Sequence, residues 1–361
     1  KSTNPTSWLE LILRSLEQVQ PKDRDFEFLA GYLSGLAKTN PKEVEKFKKL
    51  AAESSDLAPA LPSICWRMGI QANDIHLVSG ALKAGLIKPW GLMQWSGGGV
   101  LAKLLPSEVS SLFDLLMDME KEGFSVAIDL IGMYTFGRKE ILEELIPQIK
   151  LAAEKSASKT KERISAQMEE HHFQEIMKWI LEKGRDDADA RSVALILSRQ
   201  LIVLVEAGSE DLFKPILPLL LSDFPEISWP LISQAITSEK MAGWKFRHLL
   251  GDTYSFRDTP KPPILNLPEE TLFAWCHANP DTAPEFLAIV IPVLSSQSPE
   301  DLARTVHPIT RRLLDEFGDR EDVLQGISMN IGTYGWSGSR TTYYQLYESP
   351  LKELENHSIK R

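Results

Sequence analysis

Disulfide chemistry is nearly absent from this sequence. Its 361 residues hold two cysteines, Cys65 and Cys276, each without a cysteine neighbour. That excludes a disulfide-stapled scaffold and sets the expectation of a reducing, cytoplasmic setting. Long apolar runs are missing as well. Segments such as Ile216 to Leu221 fall far short of the ~20 residues needed to span a bilayer, so no membrane partner is expected. No charged-then-apolar leader opens the chain, and no secretion signal is read there. Basic charge is in deficit: 40 Lys and Arg face 50 Asp and Glu, for a net charge of −10. A protein that neutralises phosphates needs the opposite balance, which disfavours nucleic acid as a partner. Convincing period-two strands are also lacking. The β-branched run Ile289-Val290-Ile291 sits inside a helical pattern.

What remains is helical periodicity. Apolar residues keep to one face in Trp8 to Leu16, Phe26 to Leu36, Val109 to Met119, Ile141 to Ala152, Phe173 to Leu181, Val193 to Val205 and Phe286 to Leu294. Helix starts are read at Ser107-Glu108, Ser209-Glu210-Asp211 and Ser298-Pro299-Glu300-Asp301, where a hydroxyl cap precedes acidic first-turn residues. Asn40-Pro41 and Asn279-Pro280 are read the same way, with Asn as the cap. Pro106, Pro147 and Pro292 stand where a helix should end or bend.

Runs of roughly 12–18 residues with short turns predict antiparallel helix pairs. Lys214 to Phe224 aligns with His307 to Phe317 at an offset of 93. Val100 to Pro106 aligns with Phe286 to Pro292 at 186, twice that offset. Two HEAT-type units of ~40–47 residues give about this period. The expected fold is all-α: an α-solenoid of stacked antiparallel helix pairs forming a HEAT-like superhelix. Residues 1–153 form an N-terminal helical-repeat segment. Residues 154–167 are nearly devoid of an apolar face and read as a polar linker or exposed helix. Residues 168–361 form a C-terminal helical-repeat segment ending in an incomplete repeat. Asp252 to Pro268, with four prolines, is an irregular connection. The chain starts on Lys rather than Met and stops as a new helix begins, so both ends read as cuts in a longer polypeptide.

Candidate chemistry is sparse. Glu169 and His172 lie three apart on one helical face, a spacing used by carboxylate-bridged metal bundles, but no second such motif accompanies them. Glu169-Glu170-His171-His172 reads rather as a solvated helix surface. With Asp186 the pair defines an alternative, a helical metal-dependent enzyme. Trp95-Ser96-Gly97-Gly98-Gly99 reads as a tight interhelical turn, because the Walker and dinucleotide-binding patterns are both missing. Asp186-Asp187-Ala188-Asp189 lacks the glycine and spacing of a calcium loop and reads as helix-start charge. Cys276 and His277 are adjacent, so they point about 100° apart on a helix and make a poor catalytic pair. Trp90, Trp244 and Arg247 could serve a second alternative, stacking on nucleic-acid bases. No catalytic residue, metal ligand or cofactor site is assigned, and this segment is not expected to be an enzyme.

The richest stretch is Gly332 to Glu348, with four tyrosines, a tryptophan and three glycines. Tyr343, Tyr347 and Leu351 share one helical face, with Tyr344 beside it and Trp336 in the preceding turn. The stretch reads either as an aromatic hinge sealing the last repeats or as a patch gripping a protein partner. The candidate partner-binding residues are Trp336, Arg340, Tyr343, Tyr344, Tyr347, Trp244 and Arg247.

The same stretch carries a resemblance. Trp336-Ser337-Gly338-Ser339, Tyr343-Tyr344, Glu348, Pro350-Leu351, Leu354 and His357 resemble a segment near the C-terminus of large bacterial helical-repeat proteins. Some of those look like the HEAT-like sensor regions of STAND-type NTPases and related antiphage defence proteins. Ile359-Lys360 stands where such repeats usually carry Val-Arg. The resemblance implies a concave solenoid that recognises a protein ligand, either a phage protein or another domain of the same polypeptide. A separate effector would perform the chemistry. It transfers no catalytic residue.

Overall fold

The computed structural model describes residues 5–20, 23–119, 121–159, 167–208, 210–238, 240–251, 262–295, 305–331, 348, 350, 352 and 354. Among these residues helix is the only regular structure, apart from an isolated antiparallel bridge between Leu294 and Val306. The all-α expectation therefore holds. No helix among the described residues is long and apolar enough to cross a membrane. The chain divides into two compact units, Lys1–Met177 and Lys178–Arg361.

The first unit contains α1 (Pro5–Glu17), α2 (Glu27–Ala37), α3 (Pro41–Ala52), α4 (Leu61–Met68), α5 (Ala72–Lys83), α6 (Pro106–Asp118), α7 (Lys121–Thr135), α8 (Ile146–Lys159) and most of α9 (Gln167–Leu181). α2 packs on α1, α3 and α4; α3 packs on α5; α5 packs on α6; α6 packs on α7 and α8. A 3-10 segment, Pro89–Ser96, lies between α4 and α7 and packs on both. It is held by Trp95, whose buried indole donates to the Pro62 carbonyl at 3.0 Å. Strong packing in this unit thus joins elements close together in chain order. α3 illustrates the cause. Pro41 at its first turn needs no N–H partner. Val44, Phe47, Lys48 and Ala51 then recur at helical spacing and form its buried face. Leu29, Leu33 and Ile64 close over that face, each fully buried aliphatic chain contributing about 1.5–3 kcal/mol.

The second unit contains α10 (Ala188–Ala207), α11 (Leu217–Asp223), α12 (Pro225–Ser238), α13 (Lys240–Gly251), α14 (Glu269–Ala278), α15 (Ala283–Val290), α16 (Pro308–Phe317) and α17 (Glu321–Ile331). α10 packs on α12 and α13, α12 on α11 and α13, α13 on α15, and α15 on α14, α16 and α17. Neighbours and near-neighbours in the chain are again most of the partners, but α11 also packs strongly on a 3-10 turn over Pro263–Asn266, beyond α12 and α13. Ser198 donates to Ser228 at 2.8 Å inside the α10–α12 contact. Trp229, Trp275 and Phe286 meet edge to face, at 5.1 and 5.9 Å between ring centroids, and link α12, α14 and α15. The α15–α17 approach depends on Gly326, where a Cβ would lie 2.9 Å from that of Ala288.

Several helix ends differ from those read in the sequence. α6 begins at Pro106 rather than at a Ser107 cap. Its Glu108 carboxylate accepts the Leu105 backbone N–H at 2.7 Å, and Pro106 occupies the first helical position, so this proline opens a helix instead of ending one. Asn279 closes α14: its backbone N–H and its side-chain amide both donate to the Trp275 carbonyl, and α15 starts only at Ala283. The run before α8 is split, with a 3-10 turn over Lys139–Leu145 and α-helix from Ile146, so Pro147 sits in the first turn of a helix. α15 stops at Val290, and Ile291 is already extended (φ −83°, ψ 148°), as the following Pro292 requires. Asp187 caps α10 by accepting the N–H groups of Asp189 and Ala190, as its helix-start charge suggested.

Of the two repeat alignments, the segments at 214–224 and 307–317 both lead into a helix, α11 and α16. The other pairing does not persist in local structure. Residues 100–105 form irregular turns, whereas 286–290 are helical. Within the polar segment 154–167, α8 continues to Lys159 and buries Ser156 and Ala157; residues 160–166 lie outside the described residues.

Candidate functional site

Five of the seven candidate partner-binding residues, Trp336, Arg340, Tyr343, Tyr344 and Tyr347, lie outside the described residues. Beyond them Glu348, Pro350, Lys352 and Leu354 are helical, and Lys352 pairs with Glu348 at 2.8 Å. The other two, Trp244 and Arg247, stand on α13. Phe246, Leu249 and Leu250 anchor that helix in the core. Trp244 lies on the opposite side and is 53% exposed. Its ring meets that of His248, one turn on, edge to face at 5.0 Å. Arg247 Nη2 is 3.5 Å from Glu285 of α15, and its Nε is buried without a partner. An exposed indole beside a partly held guanidinium is the composition that dominates protein–protein contact energy.

Of the three residues of the metal-enzyme alternative, Glu169 and His172 form hydrogen bonds within the fold. Glu169 accepts a hydrogen bond from Ser125 at 2.6 Å. His172 is buried, not solvated as the motif suggested, and its Nδ1–H donates to Asp129 at 2.9 Å. The ring fits because position 132 of α7 is glycine: a Cβ there would fall 2.4 Å from His172 Cγ. Asp186 is exposed beside the α10 cap. Among the described residues no group of three or more His, Cys, Asp or Glu is arranged to hold a metal. Cys276 is fully buried, and burial pushes its thiol up to about 12. Its neighbour His277 turns instead to Glu316 at 2.8 Å. Gly98 and Gly99 adopt positive φ (69° and 62°) in the turn after Trp95, in line with its reading as a tight turn. Trp90 is 60% exposed.

Two charged clusters were not singled out by the sequence. Lys48 is buried within the first unit. Its ammonium lies 2.6 Å from Asp74, itself fully buried, and 2.5 Å from Glu45. Burial alone would depress this lysine, but the hydrogen bonds to Asp74 and Glu45 outweigh it and hold its pKa above the usual 10.5. Asp74 also accepts the Gln71 N–H at 3.0 Å, capping α5. Cys65 lies beside this pair, and burial, reinforced by the Asp74 carboxylate, drives its thiol far above the normal range. In the second unit Arg312 bridges Glu269, Glu270 and Glu316 and covers the Phe273 ring at 4.0 Å. The signal for Lys48 was present: it falls on the same helical face as Val44, Phe47 and Ala51. Nothing in the sequence pointed to a carboxylate 26 residues away. No protein-family model, curated protein or solved structure matches the chain.

Proposed function

We propose that this chain is a non-enzymatic protein-recognition or scaffolding segment of a larger bacterial protein, serving as the ligand-sensing part of an antiphage defence system. In this reading its helices stack as antiparallel pairs into a HEAT-like superhelix. One observation carries the proposal. In each unit, strong packing joins helices to their neighbours and near-neighbours in the chain, the pattern from which quasi-one-dimensional arrays are built. Such arrays present long surfaces rather than deep pockets. The exposed Trp244 with Arg247 on α13 supports the same reading.

Small-angle scattering tests the architecture. A compact chain of this length has a radius of gyration of about 21 Å. Eight or nine helix pairs stacked at about 9 Å each make a rod of about 72–81 Å, whose radius of gyration, with its two-helix cross-section, is about 24 Å. A value near the lower figure overturns the array. Partner capture with the intact parent protein tests the role: Trp244→Ala and Trp336→Ala should each weaken retention of a specific protein while leaving the thermal melt unchanged. Retention by both variants at the original level overturns the assignment of these surfaces.

A further inference from the structure

α3 carries a basic stripe on an acidic protein. Lys42, Lys46 and Lys49 recur at i, i+4 and i+7 on its solvent side, all exposed, and together with Pro41 and Glu45 they line a shallow groove of about 370 Å³. None of the three lysines forms an ion pair or side-chain hydrogen bond among the described residues. The carboxylate in the groove, Glu45, lies 2.5 Å from the buried Lys48 ammonium and is itself 44% exposed. Exposed Glu43 and Glu53 flank the stripe without pairing to it. The positive end of the α3 dipole lies at Pro41 and adds to the same field. Like charges one turn apart destabilise a free helix. Glu45, one turn before Lys49, offsets part of that repulsion, and an anionic partner would relieve the rest.

Resting on the recognition reading above, we infer that this face of α3 docks an acidic amphipathic helix of a protein partner. The chemistry of the groove selects that occupant. It offers point charges on flexible stems, without an arginine fork for phosphate or an aromatic ring for a base. Its cations span about 10 Å along the helix axis. Carboxylates at i, i+4 and i+7 on a partner helix have the same spacing. Leu50, 59% exposed, lies beside Lys46 on the helix surface and supplies the apolar contact such a partner needs.

The test uses the full chain and a synthetic 20-residue helical peptide with Glu at i, i+4 and i+7 and leucines beside them, read by fluorescence anisotropy. Lys42→Glu/Lys46→Glu/Lys49→Glu should weaken binding at least tenfold. A peptide with Lys in place of Glu should prefer that variant to the parent by a similar factor. Binding to the parent should fall steeply between low and high salt. Lys42→Gln/Lys46→Gln/Lys49→Gln, which removes charge without reversing it, should lose at least threefold. Circular dichroism melts confirm that both variants fold. Equal affinity for parent and variant, or absence of peptide binding, overturns the proposal. So does charge-dependent binding of inorganic polyphosphate without peptide binding. A protein partner retained undiminished by the charge-reversed chain leaves the recognition reading standing and removes this surface from it.

Discussion

Replacing Lys48 by Met tests how the α3–α5 contact is held. The substitution keeps most of the side-chain volume and removes the ammonium. Asp74, fully buried, is then left with the Gln71 N–H as its backbone donor and no cation. Removing one partner of a buried ion pair destabilises by about 3–5 kcal/mol, because the remaining charge stays desolvated. The Glu45 contact adds little, since that carboxylate is 44% exposed and screened by water. Native-state hydrogen exchange reads the effect locally. Amides of α3 and α5 should exchange roughly 150- to 5000-fold faster, up to the limit set by global unfolding. Adding Asp74→Asn removes the stranded charge and keeps an acceptor for the Gln71 N–H. The double variant should therefore recover more than half of the loss, a coupling that separate effects would not produce. A loss below about 1 kcal/mol in Lys48→Met, or additive behaviour of the pair, would refute the reasoning. The pH dependence follows from the raised lysine: the contribution is complete below its ordinary 10.5 and disappears as pH rises through the higher folded value. Exchange in α3 and α5 should therefore accelerate selectively in strong alkali.

Two glycine substitutions should move stability in opposite directions. Gly132→Ala places a methyl 2.4 Å from His172 Cγ and should destabilise by about 1–3 kcal/mol in chemical denaturation, separating His172 from Asp129. Gly31→Ala, in an exposed turn of α2 with nothing within 4 Å, should stabilise by about 0.5–1 kcal/mol. Both cysteines are fully buried with raised thiol pKa values. Intact-mass spectrometry after alkylation at neutral pH should find neither modified in the native protein and both modified in denaturant. Trp95→Phe should cost about 1–3 kcal/mol in thermal melts, from the lost bond to Pro62 and incomplete filling of its site.

Helix content was legible because it depends on local periodicity, which α2, α6, α9 and α10 carry openly. Helix ends were less so. Asn before Pro can cap a start or close the preceding helix, and the Asn279 side chain reaches back to Trp275 because α14 ends there. Ile291 reads as helix by composition, but Pro292 forces it to be extended. The division at residue 177 falls inside α9, a helix whose periodicity runs on unbroken, so no change in pattern marks it. Paired polar groups were the least legible feature. His172 with Asp129 and Lys48 with Asp74 are joined across 43 and 26 residues, and although Lys48 falls on the apolar face of α3, nothing local names its partner. The candidate surface at Trp244 and Arg247 was legible as residue types, whereas the lysine stripe on α3 depended on knowing which lysines of that helix stay at the surface.

The near-neighbour packing of these helices has a consequence for biosynthesis. When each element rests on those made shortly before it, the chain segment that must close to form a contact is short, and its entropic barrier is low. Successive helices can then settle in order as they leave the ribosome, without waiting for distant partners. α11 is an exception, since its packing on Pro263–Asn266 completes only after α12 and α13 have emerged.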